Sequence, residues 1–259
     1  MRPGDKTLAG FGDAACMRPG VNDRVQLWYA DPLWYSSPDR ASACLALLDD
    51  AELERLRQFR FERDRMTYLV AHALLRRALS VHVSVDPRRW RFRAAARGKP
   101  FVNEPTGHRD LSFSISHAPG CVAVAVTARC PVGVDVEHVG QADALEEILD
   151  RYLSPSEIVA LLGASAESRR DRLLAHWTLK EAYVKGLGTG LGVHLPALTF
   201  HLDESPRIRL TCGPGVTCSP EGWWFLRASP TTEHALALAV QRGAGAEVEV
   251  HIREARDLP

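Results

Sequence analysis

Apolar and polar residues alternate in short stretches along most of this chain, and two longer stretches at helical spacing interrupt them. Alternation over residues 25–30 (VQLWYA) predicts a first strand. Over residues 49–80, Leu53, Leu56, Tyr68, Leu69, Ala73 and Leu79 fall near helical spacing, so the segment is expected to be helical for most of its length. Residues 89–102 predict a strand running into a Gly-Lys-Pro turn, and residues 111–120 (LSFSISHAPG) a strand ending in a Pro-Gly turn. CVAVAVTA (121–128) is apolar enough to be buried on both faces. A further strand carries Val132, Val134 and Val136, and a helix is expected near residues 142–152. Ser154, Pro155 and Glu157 form the N-cap, first position and capping box of another helix. Residues 168–188 predict a long helix closed by glycines, followed by strands near 198–202, 207–211, 222–228 and 234–241 and a C-terminal surface tail.

The order repeats. DRMTYLVAHALLRRAL begins at Asp64 and DRLLAHWTLKEAYVKGL at Asp171, each containing Ala-His (Ala71-His72 and Ala175-His176). Each is followed later by an alternating Ala/Val/Leu strand. The pattern predicts an α+β protein of duplicated halves, residues 23–130 and 131–259, after a loose leader at 1–22. The strand of Val132–Val136 then lies at the junction, where small-molecule sites commonly form.

Composition narrows the function classes. Lys+Arg and Asp+Glu number 32 each, so the chain lacks the basic excess of a general nucleic-acid binder. No stretch approaches the roughly 20 apolar residues of a membrane span, and the first residues lack the apolar core of a signal peptide. A cytoplasmic protein is expected. Cys16, Cys44, Cys121, Cys130, Cys212 and Cys218 show neither C-x-x-C nor zinc spacing and are expected to be small apolar residues.

Three clusters carry candidate chemistry. In GVDVE (133–137), Asp135 and Glu137 share one face of a strand and the valines the other. An edge strand with its polar face in water is one reading. The other is a cation site, because close carboxylates repel unless a cation or basic groups stand between them. Mg²⁺ needs only one or two protein carboxylates with phosphate oxygens and water. In the long helix, Trp177, Glu181 and Lys185 lie four apart on one face. A surface ion pair would explain Glu181 and Lys185 but not the neighbouring Trp177. Gly186, Gly188, Gly190 and Gly192 follow a helix instead of preceding one, which argues against a phosphate-binding fingerprint. Finally, Ser116 and His117 are adjacent on a strand and point to opposite faces, so they are not a nucleophile–base pair. Their donors suit a phosphate.

Together these motifs resemble the Sfp-type 4′-phosphopantetheinyl transferases. GVDVE at 133–137 and WTLKEAYVK at 177–185 stand intact; FSISH at 113–117, Gly98-Lys99-Pro100 and RLRQFRFERDR at 55–65 match earlier motifs in the family's order. The resemblance implies a monomeric, pseudo-twofold α+β fold with coenzyme A between the halves. It implies Mg²⁺-dependent (or Mn²⁺-dependent) transfer of 4′-phosphopantetheine from coenzyme A to a serine of an apo acyl, peptidyl or aryl carrier protein, releasing 3′,5′-ADP. Carried over by position, Asp135, Glu137 and Glu181 would hold the metal, and Lys185 would assist the leaving group. Arg55, Lys99, Ser116, His117, Lys180 and Lys185 would contact coenzyme A. Glu181, or a water on the metal, is the candidate base. Glu52 stands where some members carry a basic residue, so one contact is expected to be missing. Residues 141–163 are the expected carrier contact. Peptide synthetase, polyketide and fatty acid synthase carriers are the expected partners. A Mg²⁺-dependent nucleotide phosphohydrolase and an inactive carrier-binding protein are the rival readings.

Overall fold

A computed structural model describes residues 5–9, 23–95, 98–128, 130–202, 207–214, 216, 218–242 and 247–258. In chain order the strands and helices are β1 (Asp5–Ala9), β2 (Asp23–Ala30), α1 (Pro38–Leu45), α2 (Asp50–Arg57), α3 (Glu62–Val83), β3 (Arg91–Ala94), β4 (Pro100–Glu104), β5 (Leu111–Ala118), β6 (Cys121–Ala128), β7 (Val132–His138), α4 (Ala142–Glu146), α5 (Leu149–Tyr152), α6 (Pro155–Leu162), α7 (Ala166–Leu187), β8 (Leu198–His201), β9 (Arg209–Cys212), β10 (Trp223–Ala228), β11 (His234–Gln241) and β12 (Val248–Glu254).

The layers follow from which faces are apolar. One sheet runs β1-β12-β2-β6-β5 and another β10-β11-β7. Val122, Val124 and Val126 of β6 pack under α3 with Leu74, Leu75 and Leu79. The opposite face of β6, Ala123 and Ala125, meets Val132, Val134 and Val136 of β7 and Leu236, Leu238 and Val240 of β11. The far face of the smaller sheet, including Ala237 and Ala239, is covered by Leu179 and Ala182 of α7. The order is helix, sheet, sheet, helix, an α+β architecture. It explains why β6 reads as a continuous apolar run: each of its faces has a layer against it. Each fully buried Val or Leu contributes about 1.5–3 kcal/mol.

The duplication is visible as a repeated polar node. In the first half, Asp49 caps α2 and Glu52 completes its capping box. Glu52 receives His72 Nδ1 at 2.7 Å and Arg76 Nε at 3.0 Å, both from α3. In the second half, Ser154 caps α6 and Glu157 completes its capping box. Glu157 Oε1 lies 3.1 Å from His176 Nδ1 and Glu157 Oε2 accepts from Lys180 Nζ at 2.6 Å, both from α7. Arg76 and Lys180 are each 0 % exposed; Arg76 also donates to Asp49 Oδ2 at 3.2 Å and to the carbonyls of Pro87 and Trp90, and Lys180 to the carbonyls of Tyr152, Leu195 and Leu198. A short helix is thus pinned to a long one by the same carboxylate–histidine–cation set in both halves.

Several expectations are corrected. Residues 49–80 are helical for most of their length as expected, with one break between Arg57 and Glu62, where Arg65 donates to the carbonyl of Phe59. The helix near 142–152 is likewise divided into α4 and α5. The last residues, with EAR and DLP, are not a surface tail: Ala255 and Leu258 are buried in the core under α3, just after β12, which lies between β1 and β2 and runs parallel to β2. β12 alternates Val248, Val250 and Ile252 with polar residues, the period of a strand, but alternation does not specify the pairing with β2 that buries Val250. It also carries the chain's end back into the first half's sheet, while residues 5–9 of the expected leader form the edge strand β1. Cys212 and Cys218 form a disulfide across the loop after β9, with Cα atoms 6.5 Å apart, contrary to the expectation of unpaired thiols. Cys44 and Cys121 are buried as expected; Cys16 lies outside the described residues. No helix among the described residues is long and apolar enough to cross a membrane.

Candidate active site

Two edge strands meet at the junction of the halves. β5 ends one sheet and β7 the other. Serine hydroxyls join them: Ser112, Ser114 and Ser116 accept from the backbone N–H groups of Val132, Val134 and Val136 at 3.3, 3.1 and 3.3 Å. These serines occur at every second position of LSFSIS and so share a face; that periodicity is the sequence signal for the junction. With its valines turned toward β6, β7 presents Gly133, Asp135 and Glu137 to α7. Gly133 permits that approach, since a Cβ there would lie 1.9 Å from the carbonyl oxygen of Ala182. Close packing of β7 on α7 brings Glu181 and Lys185 opposite the acidic strand.

The resulting cleft has a volume of about 240 Å³ and is lined by Ser116 and His117 from one side and by Asp135, Glu137, Trp177, Glu181 and Lys185 from the other. Asp135 is 4 % exposed. Its Oδ1 accepts from Lys185 Nζ at 2.6 Å and Ser116 Oγ at 2.8 Å, and Lys185 also donates to Ser116 Oγ at 2.9 Å. Its Oδ2 is buried without a hydrogen-bond partner. Burial raises the Asp135 pKa, against the pull of Lys185 and Ser116. Burial and the Asp135 charge raise Glu137 to about 6, opposed by a 3.0 Å hydrogen bond from Trp177 Nε1 to Glu137 Oε1. Glu181 is also raised, by burial and by Asp135.

Asp135, Glu137 and Glu181 therefore repel one another around one cleft. Among the described residues no three His, Cys, Asp or Glu side chains converge tightly enough to make a ready-formed metal centre. The donor set nevertheless fits a hard divalent cation. It is all carboxylate, it contains a buried oxygen with no partner, and such an ion takes only one or two protein carboxylates beside phosphate oxygens.

The remaining predicted residues divide. His117 stands at the cleft mouth, its pKa lowered by burial and by Lys185. Lys99 is outside the cleft lining. Its ammonium donates to the carbonyls of Val132 (3.2 Å) and Gly186 (3.1 Å), bridging the halves, and burial lowers its pKa to about 8. Lys180 is a correction: consecutive helical residues diverge by about 100°, so the neighbour of Glu181 points into the buried Glu157 node. Arg55 lies on α2, with its guanidinium donating to Gln58 at 2.9 Å and packed 5.4 Å from the Phe59 ring. It does not line the cleft. Glu52 is the first-half counterpart of Glu157, so its carboxylate serves the node. A second cavity of about 190 Å³ opens on the other side of Glu181, walled by Val184, Val193 and Leu195 with Arg151 and His194.

Sequence comparisons cover both halves. Residues 32–129 match the family described as 4′-phosphopantetheinyl transferase, N-terminal, and residues 131–239 match the 4′-phosphopantetheinyl transferase superfamily. A phosphopantetheinyl transferase of Thraustochytrium sp. is 31% identical, over 85% of this chain and 80% of that protein. The 4′-phosphopantetheinyl transferase HetI of Nostoc sp. is 28% identical, over 85% of this chain and 89% of its own length. A crystal structure of a holo-(acyl-carrier-protein) synthase from Bacillus anthracis in complex with CoA (3′,5′-ADP) aligns with 46% of this chain and 96% of its own, at 21% identity and a TM-score of 0.37. With matches spanning both halves and the acidic strand and helix lying in one of them, this chain belongs to the 4′-phosphopantetheinyl transferase family.

Proposed function

We propose that this protein transfers 4′-phosphopantetheine from coenzyme A to a serine of an apo carrier protein, releasing 3′,5′-ADP. The observation that carries the reading is the cleft between the halves, lined by three carboxylates with raised pKa values and one lysine, in which Asp135 Oδ2 is buried without a partner. Asp135, Glu137 and Glu181 would hold Mg²⁺ or Mn²⁺, which when bound neutralises the pyrophosphate and polarises the reacting phosphorus.

The chain's own groups account for the rest. In the reaction the serine oxygen bonds to the phosphorus bearing pantetheine, the bond from that phosphorus to the bridging oxygen breaks, and 3′,5′-ADP leaves. His117 would donate to a phosphate oxygen, while the single hydroxyl hydrogen of Ser116 goes to Asp135, so Ser116 would act by holding that carboxylate in place. Lys185, reaching from α7 to Asp135, is near enough to compensate charge on the departing phosphate. Glu181 is the candidate acceptor of the serine proton; a carboxylate raised by burial is a stronger base than a solvated one. Positioning and charge compensation are the main requirements of such chemistry.

Exposed Val159 (72 %) and Leu162 (63 %) on α6 suit carrier docking. The length and the two complete halves support a monomer, and coenzyme A as donor supports a cytoplasmic location. Holo-acyl-carrier-protein synthesis is the subtype we assign, with peptidyl or polyketide carriers as further acceptors.

Measuring 3′,5′-ADP release tests this reading. Wild type should release it only with coenzyme A, a divalent cation and an apo carrier all present. Asp135→Ala and Glu181→Ala, if folded, should lose about 10²–10⁴-fold in rate. Release without carrier would favour the phosphohydrolase reading instead. Full activity in both variants would overturn the site assignment.

A further inference from the structure

The turn that follows His117 is held by a histidine outside every motif. β5 passes into β6 through Pro119-Gly120, with Ala118 paired to Cys121. Gly120 has φ +82°, the left-handed value a tight turn requires at this position and glycine adopts without strain. His234, the first residue of β11 and 4 % exposed, stands against this turn. Its Nε2 is 2.8 Å from the carbonyl oxygen of Pro119. A carbonyl only accepts, so Nε2 carries the hydrogen. In the neutral ring Nδ1 then accepts from Thr231 Oγ1 at 2.7 Å, and that hydroxyl oxygen in turn accepts from the N–H of Glu233 at 3.1 Å. The ring also packs edge-on against His138, centroids 5.4 Å apart, and His138 is its cross-strand neighbour and follows Glu137 in β7.

One imidazole thus connects the β5–β6 turn, the loop entering β11 and the acidic strand. Two of these belong to the second half and one to the first. Ser116 and His117 approach the cleft from the first half; Asp135, Glu137, Glu181 and Lys185 approach it from the second. We propose that His234 is a positioning residue for coenzyme A: Ser116 is tied directly to Asp135 and Lys185, and by holding the Pro119 carbonyl His234 fixes how far His117 stands from the acidic side of the cleft. This rests on the reading of the cleft as the coenzyme A site. Without the clamp the carbonyl turns to water at little cost, the turn gains freedom, and the His117 donor loses its fixed distance. Displacements of about 1 Å at such donors are enough to weaken binding severalfold or more.

Steady-state kinetics of the full-length protein test this. His234→Phe keeps ring volume and the packing on His138 but removes both hydrogen bonds. His234→Gln supplies an amide donor and a carbonyl acceptor. Thr231→Val removes the hydroxyl alone. His234→Phe should raise the KM for coenzyme A about tenfold with kcat within about twofold. Thr231→Val should give a smaller rise of the same kind, and His234→Gln should return KM to within about threefold of wild type. If His234→Phe does not fold, Thr231→Val and His234→Gln decide. Unchanged KM in the variants, with only a lower melting temperature, overturns the positioning role while leaving the transferase reading intact. A wild type that transfers nothing overturns both.

Discussion

Asp135 has two oxygens in different surroundings: one bonded to Lys185 and Ser116, the other buried without a partner. Glu137 differs, because a single indole N–H from Trp177 orients it. That bond stabilises the ionised form, so removing it should raise a pKa already near 6. Trp177→Phe keeps an aromatic ring against Tyr152 and is expected to raise the Glu137 pKa by about one unit, the scale of a hydrogen bond to a charged group. A carboxylate-detected NMR titration measures it; an unchanged value would mean the indole is only packing. Residue by residue, what the sequence made legible depended on periodicity. Alternation placed Asp135 and Glu137 on one face, and i,i+4 spacing aligned Trp177, Glu181 and Lys185. The same rule applied to Lys180 would have separated it from Glu181. Lys180 shares its motif with Glu181 but its direction with the buried Glu157 node.

Among the elements, β7 and α7 depend most closely on one another. A methyl group at Gly133 would overlap the backbone of α7, which no side-chain rotation relieves. Gly133→Ala should destabilise the protein by at least the roughly 1–3 kcal/mol of core overpacking, read as a lower denaturant midpoint. Retained stability would show that α7 can move off β7 freely. The α6–α7 node makes a pH-dependent prediction. Burial alone would raise Glu157, but His176 and Lys180 more than offset it and lower the pKa to about 2 from 4.5. A depressed carboxylate contributes stability that is fully present above pH 4.5 and is lost as pH falls toward 2. Glu157→Gln should therefore cost roughly 3–5 kcal/mol near neutrality, as expected for stranding one partner of a buried pair. The gap to wild type should narrow across that acid window in urea titrations. A gap independent of pH would contradict the ionised node. The α6 capping box was legible from Ser154, Pro155 and Glu157; that its glutamate also holds Lys180 was not, because the contact joins residues 23 apart in sequence.

At the scale of the whole molecule, two copies of one unit face each other, and the cleft lies where their edge strands meet. The Ala-His echo at Ala71-His72 and Ala175-His176 was a local sign of this symmetry. The structure extends it to the full carboxylate–histidine–cation set, which sequence comparison blurs because one copy uses Arg76 and the other Lys180. The return of β12 to the first sheet was hidden from any reading by halves, since the alternation of Val248, Val250 and Ile252 marks a strand but not its partner. If the cleft supports phosphopantetheine transfer, the carrier protein must gain mass. The most direct test is the intact mass of an apo carrier protein after incubation with this protein, coenzyme A and Mg²⁺. The account predicts a gain of one phosphopantetheinyl group on the carrier, absent with Asp135→Ala. An unchanged carrier mass across acyl, peptidyl and aryl carriers, with folded wild-type protein, would contradict it.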